Sequence, residues 1–190
     1  MDAKYYEDKA FEDIDDSASH MRESEYVGCE FIRCNFEKAD MTNTVLVDCV
    51  FRESNLSLSR LLNVGIKNVR FHDCKLVGLD FGSCSDFLFE VKFTSCHLDY
   101  SSFFQKRLKE TQFTDCSLKE VDFTEADLTK AIFANCDLTR AAFVGSNLEK
   151  ADFRTAKNYA FDPELNRIKG AKFSSFGIAG LLAKYDIVID

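Results

Sequence analysis

Residues 121–155 read VDFTEADLTKAIFANCDLTRAAFVGSNLEKADFRT, a sequence that repeats every five positions. Each five-residue unit is centred on a large apolar residue, and the centres alternate between Phe and Leu. Two positions before most centres stands a small residue, usually Ala, Cys or Ser. Side chains two positions apart on a strand point the same way, so the small and large residues share one interior. The Phe centres predicted to form this core are Phe93, Phe103, Phe113, Phe123, Phe133, Phe143 and Phe153.

The first half of the chain carries the same pattern in a second register. Every fifth residue from Met21 to Phe81 is apolar, and the positions between the inward residues are mostly polar. A helix with 3.6 residues per turn cannot keep a five-residue stripe on one face, so each unit is a short strand followed by a corner. Such a unit must stack on its neighbours, which predicts a solenoid. Phe residues recurring twenty positions apart favour four units per coil.

The two registers differ by two residues across positions 82–92, GSCSDFLFEVK. We expect a small loop at one corner of the solenoid, containing Ser85, Asp86 and Phe87. The loop is either a harmless insertion or a segment that contacts a partner. Nearby, Lys106 occupies a position that is small in other units, and its ammonium group is expected to reach solvent.

The repeat covers residues 21–173, and the two ends differ from it. Residues 1–20 form an acidic segment, expected to be the first coil or a cap. Residues 174–190 are predicted to be an amphipathic helix followed by a short strand with Ile187 and Ile189. A solenoid end must be capped or paired, so this tail is either a cap or a homodimer module. The helix spacing selects Ile178, Leu181, Leu182 and Tyr185 as the interface.

Little in the sequence points to chemistry. All eight Cys residues fall at the small inward position, so we expect core thiols rather than metal ligands or disulfides. The three His residues are not expected to cluster, and Asp residues beside the centres are expected to bond corner amides. No phosphate-binding or nucleophile motif occurs. The sequence therefore predicts no cofactor and no enzyme.

Net charge and hydropathy exclude two classes of partner, nucleic acid and membrane. The net charge of −8 argues against direct nucleic-acid binding by a basic face. No stretch of eighteen apolar residues occurs, so no membrane span is expected. The acidic N-terminus has no apolar signal region, and together with the unpaired cysteines it predicts a cytoplasmic protein.

The units KADFR, EADLT, RAAFV, GSNLE and ADMTN resemble those of the pentapeptide-repeat family. This resemblance implies an all-β fold, a right-handed quadrilateral β-helix with twenty residues per coil, here followed by a short C-terminal helix.

A narrower similarity involves residues 54–81, the slip after them and the tail 168–190. These segments are similar to those of the group of Qnr-type quinolone-resistance and albicidin-immunity proteins. The similarity implies an end-to-end dimer through the tail. It also implies a rod that mimics duplex DNA and binds DNA gyrase or topoisomerase IV, protecting the enzyme from poisons. The alternative is a cytosolic scaffold that binds an unrelated protein through a flat face.

Overall fold

Short parallel strands make up nearly all of the regular structure. The computed structural model describes residues 4–15, 21–87 and 89–188. Four short 3₁₀ turns complete the elements, at Phe81–Ser83, Pro163–Leu165, Ile178–Leu181 and Ala183–Tyr185. The strands are β1 (Lys4–Glu7), β2 (Ala10–Glu12), β3 (Ser24–Val27), β4 (Glu30–Ile32), β5 (Val45–Val47), β6 (Val50–Arg52), β7 (Gly65–Lys67), β8 (Val69–His72), β9 (Val91–Thr94), β10 (Gln112–Thr114) and β11 (Ile132–Ala134).

The coils stack into a four-sided rod. Side 1 contains the sheet β1-β3-β5-β7, and side 2 contains the sheet β2-β4-β6-β8-β9-β10-β11. Isolated parallel bridges continue side 3, as at Asn35↔Asn55, and side 4, as at Asp40↔Arg60. Partners lie twenty residues apart, or twenty-two across the change of register, which confirms the predicted β-helix. The chain visits the sides in the order 1, 2, 3, 4, so side 2 lies opposite side 4.

The corners explain why polar residues fill the positions between the inward side chains. The last residue of most units has a positive φ, which non-glycine residues rarely adopt. The stacked coils hold this conformation, because the corner amide donates to the next coil, as from Lys130 N to Glu149 O at 2.8 Å. As expected, Asp side chains bond corner amides, as from Thr124 N to Asp122 Oδ1 at 2.8 Å.

The core is two interleaved stacks of Phe rings. Phe113 and Phe133 lie parallel, with centroids 5.2 Å apart, and Phe123 meets Phe133 edge-on at 5.8 Å. Burying each side chain contributes about 1.5–3 kcal/mol relative to exposure. The structure buries all seven of the selected Phe residues, at 1% exposure or less: Phe93, Phe103, Phe113, Phe123, Phe133, Phe143 and Phe153.

All eight cysteines are buried free thiols in the small inward positions. Burial raises the pKa of Cys49 to about 11 and that of Cys84 to about 12. These two thiols are therefore protonated at neutral pH, as expected of core residues.

The C-terminal tail differs from the amphipathic α-helix predicted from its spacing. Its helical part is reduced to the 3₁₀ turns Ile178–Leu181 and Ala183–Tyr185. Residues 186–188 are not in a strand, and Ile189 lies outside the described residues, so the described part of the predicted terminal strand does not form. Glycine explains part of the difference, since Gly177 and Gly180 both disfavour an α-helix.

Candidate partner-binding site

The side loop begins after Ser85 on side 1. The Ser85 amide donates to Val64 O, the pattern that Gly65 N makes with Thr44 O one coil earlier. By Val91 the register has changed, because Val91 pairs with Val69, twenty-two residues back. The two extra residues therefore lie between Ser85 and Val91, and they push the chain outward from the side of the rod.

The loop tip is exposed and contains the three predicted contact residues. Phe87 is 79% exposed, the Asp86 carboxylate is exposed, and Ser85 is half-buried. Ser85 Oγ accepts from Phe87 N at 3.3 Å, which ties the start of the loop to its tip. Phe87 borders a shallow groove of about 280 Å³ whose floor includes Val45 and Gly65. The structure thus places the predicted loop residues beside a partly apolar shelf of side 1.

Lys106 anchors this loop from the coil that follows, which corrects the expectation that its ammonium reaches solvent. The side chain is 2% exposed. Its Nζ donates to Cys84 O at 2.6 Å, to Gly82 O at 3.3 Å and to Asp86 Oδ1 at 2.7 Å. The ammonium stays inside because these acceptors replace water. Spacing offered a signal for this role, since Lys106 lies twenty residues after Asp86.

Phe89 completes the anchor beneath the tip. Its half-buried ring packs edge-on against Phe81, with centroids 6.2 Å apart. Lys106 Nζ lies 5.2 Å from the Phe89 centroid, which is cation–π range. The base of the loop is therefore held by the apolar contact of Phe89 and by the hydrogen bonds of Lys106, while the exposed tip is available to contact another molecule.

The tail packs across the last coil of the rod. Phe161 N donates to Gly180 O at 3.2 Å, and neither Gly177 nor Gly180 has room for a Cβ beside Tyr159. Lys184 Nζ lies 2.9 Å from Asp162 Oδ1 and 2.7 Å from Glu164 Oε2. Hydrogen bonds to these carboxylates raise the pKa of Lys184 above its usual range. The contacts fasten the tail over the C-terminal end of the core.

The four tail residues selected from the sequence do not share one face. Leu181 is buried against the rod at 8% exposure and Leu182 is half-buried, whereas Ile178 and Tyr185 are exposed. The 3₁₀ turns separate them because three residues per turn do not preserve an α-helical stripe. Further apolar side chains that the prediction omitted, Phe176 and Val188, are exposed nearby in sequence.

Ion pairs between successive coils neutralise much of the surface charge. Arg33 lies 2.8 Å from Asp13, Arg52 lies 2.6 Å from Glu30, and other pairs follow the same pattern. The hydrogen bond from Arg33 holds the pKa of Asp13 below its ordinary value. Exposed pairs contribute little stability, about 0–1 kcal/mol, but they limit the fields that the rod presents. Further pairs of this kind include Arg22–Asp40, Lys109–Asp127, Lys119–Asp137, Lys130–Glu110, Arg140–Glu120 and Arg167–Glu149.

Among the described residues, no group of three or more His, Cys, Asp and Glu side chains is arranged to hold a metal ion. None of the helices in that part of the chain is long and apolar enough to cross a bilayer.

Comparison with known proteins agrees with this architecture. The family described as "Pentapeptide repeat region" matches residues 86–158, and the one described as "Pentapeptide repeats (8 copies)" matches residues 29–61. Among curated protein sequences, none matches the chain significantly.

Two solved structures illustrate the likeness in fold. QnrB1, a plasmid-mediated fluoroquinolone resistance protein, is 14% identical with a TM-score of 0.50, over 96% of this chain and 100% of that one. HetL, involved in heterocyst differentiation regulation in the cyanobacterium Nostoc sp. strain PCC 7120, is 13% identical with a TM-score of 0.48. That match covers 88% of this chain and 87% of HetL. The two family matches, which together span more than half of the chain, and the twenty-residue repeat show that the chain belongs to the pentapeptide-repeat family.

Proposed function

We propose that this protein is a non-enzymatic binding protein whose rigid rod docks on a protein partner. The partner that the sequence resemblance favours is DNA gyrase or topoisomerase IV, which the rod would shield from quinolone- or albicidin-like poisons by occupying the place of DNA. The fold shared with QnrB1, described as a fluoroquinolone resistance protein, supports this partner class.

The observation that carries the proposal is the anchored side loop. Lys106 ties Asp86 and two loop-proximal carbonyls to the packed rod, while Phe87 stays 79% exposed at the tip. A large aromatic side chain on a loop fixed from below suits a binding anchor, because little conformational entropy is lost when it docks.

Two aspartates of side 4, Asp80 and Asp122, support DNA mimicry. Isolated bridges place Asp80, Ser102 and Asp122 in successive coils, and Asp40 and Arg60 pair earlier on the same side. Neither Asp80 nor Asp122 has a cation within ion-pair distance among the described residues. These two carboxylates leave negative charge on side 4 that a basic DNA-binding groove would attract.

A homodimer through the C-terminal tail forms part of the proposal. The exposed apolar side chains of Phe176, Ile178, Tyr185 and Val188 give this end a surface that a second copy could cover. Leu181 has a different role, because it already packs on its own rod.

A scaffold that binds an unrelated protein is the second candidate function. The inter-coil ion pairs favour it, since they reduce the negative field that a DNA mimic uses to compete for a basic groove.

A supercoiling assay with DNA gyrase separates the two functions. We expect the protein to inhibit supercoiling, or to restore it in the presence of a quinolone or albicidin, and Phe87→Ala to weaken this effect. Tyr100→Ala, which truncates an exposed aromatic residue at the end of a side 3 unit, is the matched control. Neither inhibition nor protection at micromolar protein would exclude the topoisomerase proposal and leave the scaffold.

A further inference from the structure

Two cations lie directly opposite each other on neighbouring strands of side 2. Arg70 in β8 is the register partner of Lys92 in β9, and both side chains are exposed. Like charges in this arrangement are destabilising. Elsewhere on the same side an acid lies near the cation, as with Arg52 and Glu30 at 2.6 Å. The Arg70–Lys92 pair is therefore an arrangement that folding alone does not favour.

Two more exposed cations lie on side 1, beside a groove that adjoins the one around this pair. Lys67 ends β7 just before the corner, and Arg107 follows the anchor residue Lys106 on side 1. We call Lys67, Arg70, Lys92 and Arg107 the basic corner. None of the four has an acidic side chain within ion-pair distance in the part of the chain that the structure describes.

Two adjoining grooves expose the basic corner. The larger, about 580 Å³, is lined by Arg70 and Lys92 among others. The smaller, about 400 Å³, is lined by Lys67 and Arg107, and the two grooves share Glu90 and Lys109. Among the described residues, Glu90 is the one acid lining either groove that has no cation within ion-pair distance, so the four free cations outnumber it.

We propose that the basic corner binds an acidic segment of a partner protein, with Asp or Glu side chains entering the two grooves. Four cations that lack internal partners complement a short run of carboxylates. The inference goes beyond the topoisomerase proposal and does not depend on it.

A protein segment fits better than a nucleic acid because the positive surface is short. Glu53 and Asp73 occupy the corners between sides 2 and 3, and the whole chain carries −8. Charges beyond about 8 Å are largely screened at physiological salt, so a short acidic segment experiences mainly the four cations. A long polyanion would continue onto acidic surface and be repelled.

Fluorescence anisotropy with a fluorescein-labelled hexaglutamate peptide tests the proposal on the full chain. We expect Arg70→Gln with Lys92→Gln to weaken binding about tenfold, since two charge contacts are lost. Lys157→Gln with Lys169→Gln, which removes two exposed lysines elsewhere, is the matched control and should leave affinity within about twofold. The affinity should also fall as salt rises from 50 to 150 mM, as ~10 Å screening lengths imply.

Two results of this experiment would overturn the proposal. Equal peptide affinity in the wild type and in the Arg70→Gln, Lys92→Gln variant overturns the proposal. Tighter binding of a duplex DNA oligonucleotide than of the peptide, lost in the same variant, replaces the acidic segment with nucleic acid and also overturns it. The assay contains no topoisomerase, so its result is independent of the supercoiling test. The variant should also melt at or above the wild-type temperature, because a like-charge pair is removed.

Discussion

Lys106 and Asp86 form an ion pair of 2.7 Å in which the lysine side chain is 2% exposed and the aspartate side chain 89%. The two side chains therefore contribute differently to the stability of the loop. The carboxylate is hydrated in either state, whereas the ammonium gave up water and depends on Cys84 O and Gly82 O. The backbone acceptors, more than the carboxylate, hold the lysine in place.

Lys106→Met should lower the free energy of unfolding by about 1–3 kcal/mol, because the buried Cys84 carbonyl loses its donor. Asp86→Asn should cost less than about 1 kcal/mol, since its partner keeps two other acceptors. Urea unfolding monitored by circular dichroism measures both. Hydrogen exchange should also speed up at residues 85–90 in the methionine variant.

Lys109→Met is the matched control for the anchor. Lys109 lies three residues from Lys106 but is exposed, so its replacement should change stability by no more than about 0.5 kcal/mol. Equal stability of the Lys106→Met and Lys109→Met proteins would mean that the buried ammonium does not support the loop.

Phe133→Ala tests the ring stack at its centre. Phe133 has zero exposure and lies parallel to both Phe113 and Phe153, at 5.2 and 4.8 Å. Its truncation should cost about 3–5 kcal/mol through lost burial and a residual cavity. Phe176→Ala, at a position 97% exposed, should change the unfolding midpoint little. A Phe133→Ala midpoint close to that of Phe176→Ala would contradict the packed core.

The period of five predicted a solenoid, the twenty-residue columns favoured four units per coil, and the family resemblance supplied the right-handed quadrilateral coil. The period decides which side chains point inward, and the two-residue change of register between Phe81 and Phe93 located the insertion. Parallel pairing of Phe71 with Phe93, twenty-two residues apart, follows from the same counting. A strictly repeating backbone makes such positional inference reliable, because each coil contacts only its neighbours.

The prediction that the Lys106 ammonium reaches solvent was wrong. The five-residue period predicts the position and direction of the Cβ but not which acceptors lie within reach of the ammonium group. Its acceptors come from the 3₁₀ turn Phe81–Ser83 and the residues after it, where the repeat is interrupted. The tail was misjudged for a related reason. Apolar spacing from Ile178 to Tyr185 predicted an α-helix, but the close fit of Gly177 and Gly180 on Tyr159 fixed a different conformation.

Arg70 and Lys92 show a third limit. Counting the register change is enough to place Arg70 and Lys92 on neighbouring strands. Whether each cation meets an acidic side chain depends on how far and in which direction the side chains extend, which the repeat does not predict. The sequence gives no direct signal that Arg52 has an acidic partner while Arg70 has none.

Substitutions at buried and at exposed residues of the tail should have different effects on stability and on oligomeric state. Phe176→Arg with Ile178→Arg should convert the proposed dimer to monomer without lowering the melting temperature, because both side chains are exposed in one chain. Leu181→Arg should lower the melting temperature, since it places a charge against the last coil. Light scattering coupled to size-exclusion chromatography gives the mass. A Phe176→Arg, Ile178→Arg protein that keeps the wild-type mass would show that the exposed tail residues do not form the interface.

Acid should destabilise the rod through its bonded carboxylates. Hydrogen bonds from Arg154 hold the pKa of Asp152 below the ordinary 3.8, and hydrogen bonds from Thr42 do the same for Asp40. A folded-state pKa below the unfolded value means that the stability is complete above about pH 4–5 and is lost as pH falls through the folded values. The melting temperature should therefore fall below about pH 4.

Asp152→Asn isolates one of these contributions. The variant should melt lower than wild type at pH 7, and the difference should shrink as pH falls, because protonation removes the same carboxylate from the wild type. Arg154→Gln should reproduce this convergence, since it removes the donor that lowers the Asp152 pKa. Thermal melts between pH 7 and pH 2.5 measure it. A constant difference over that range would exclude Asp152 as a source of the acid sensitivity and leave the loss of packing by its side chain as the cause.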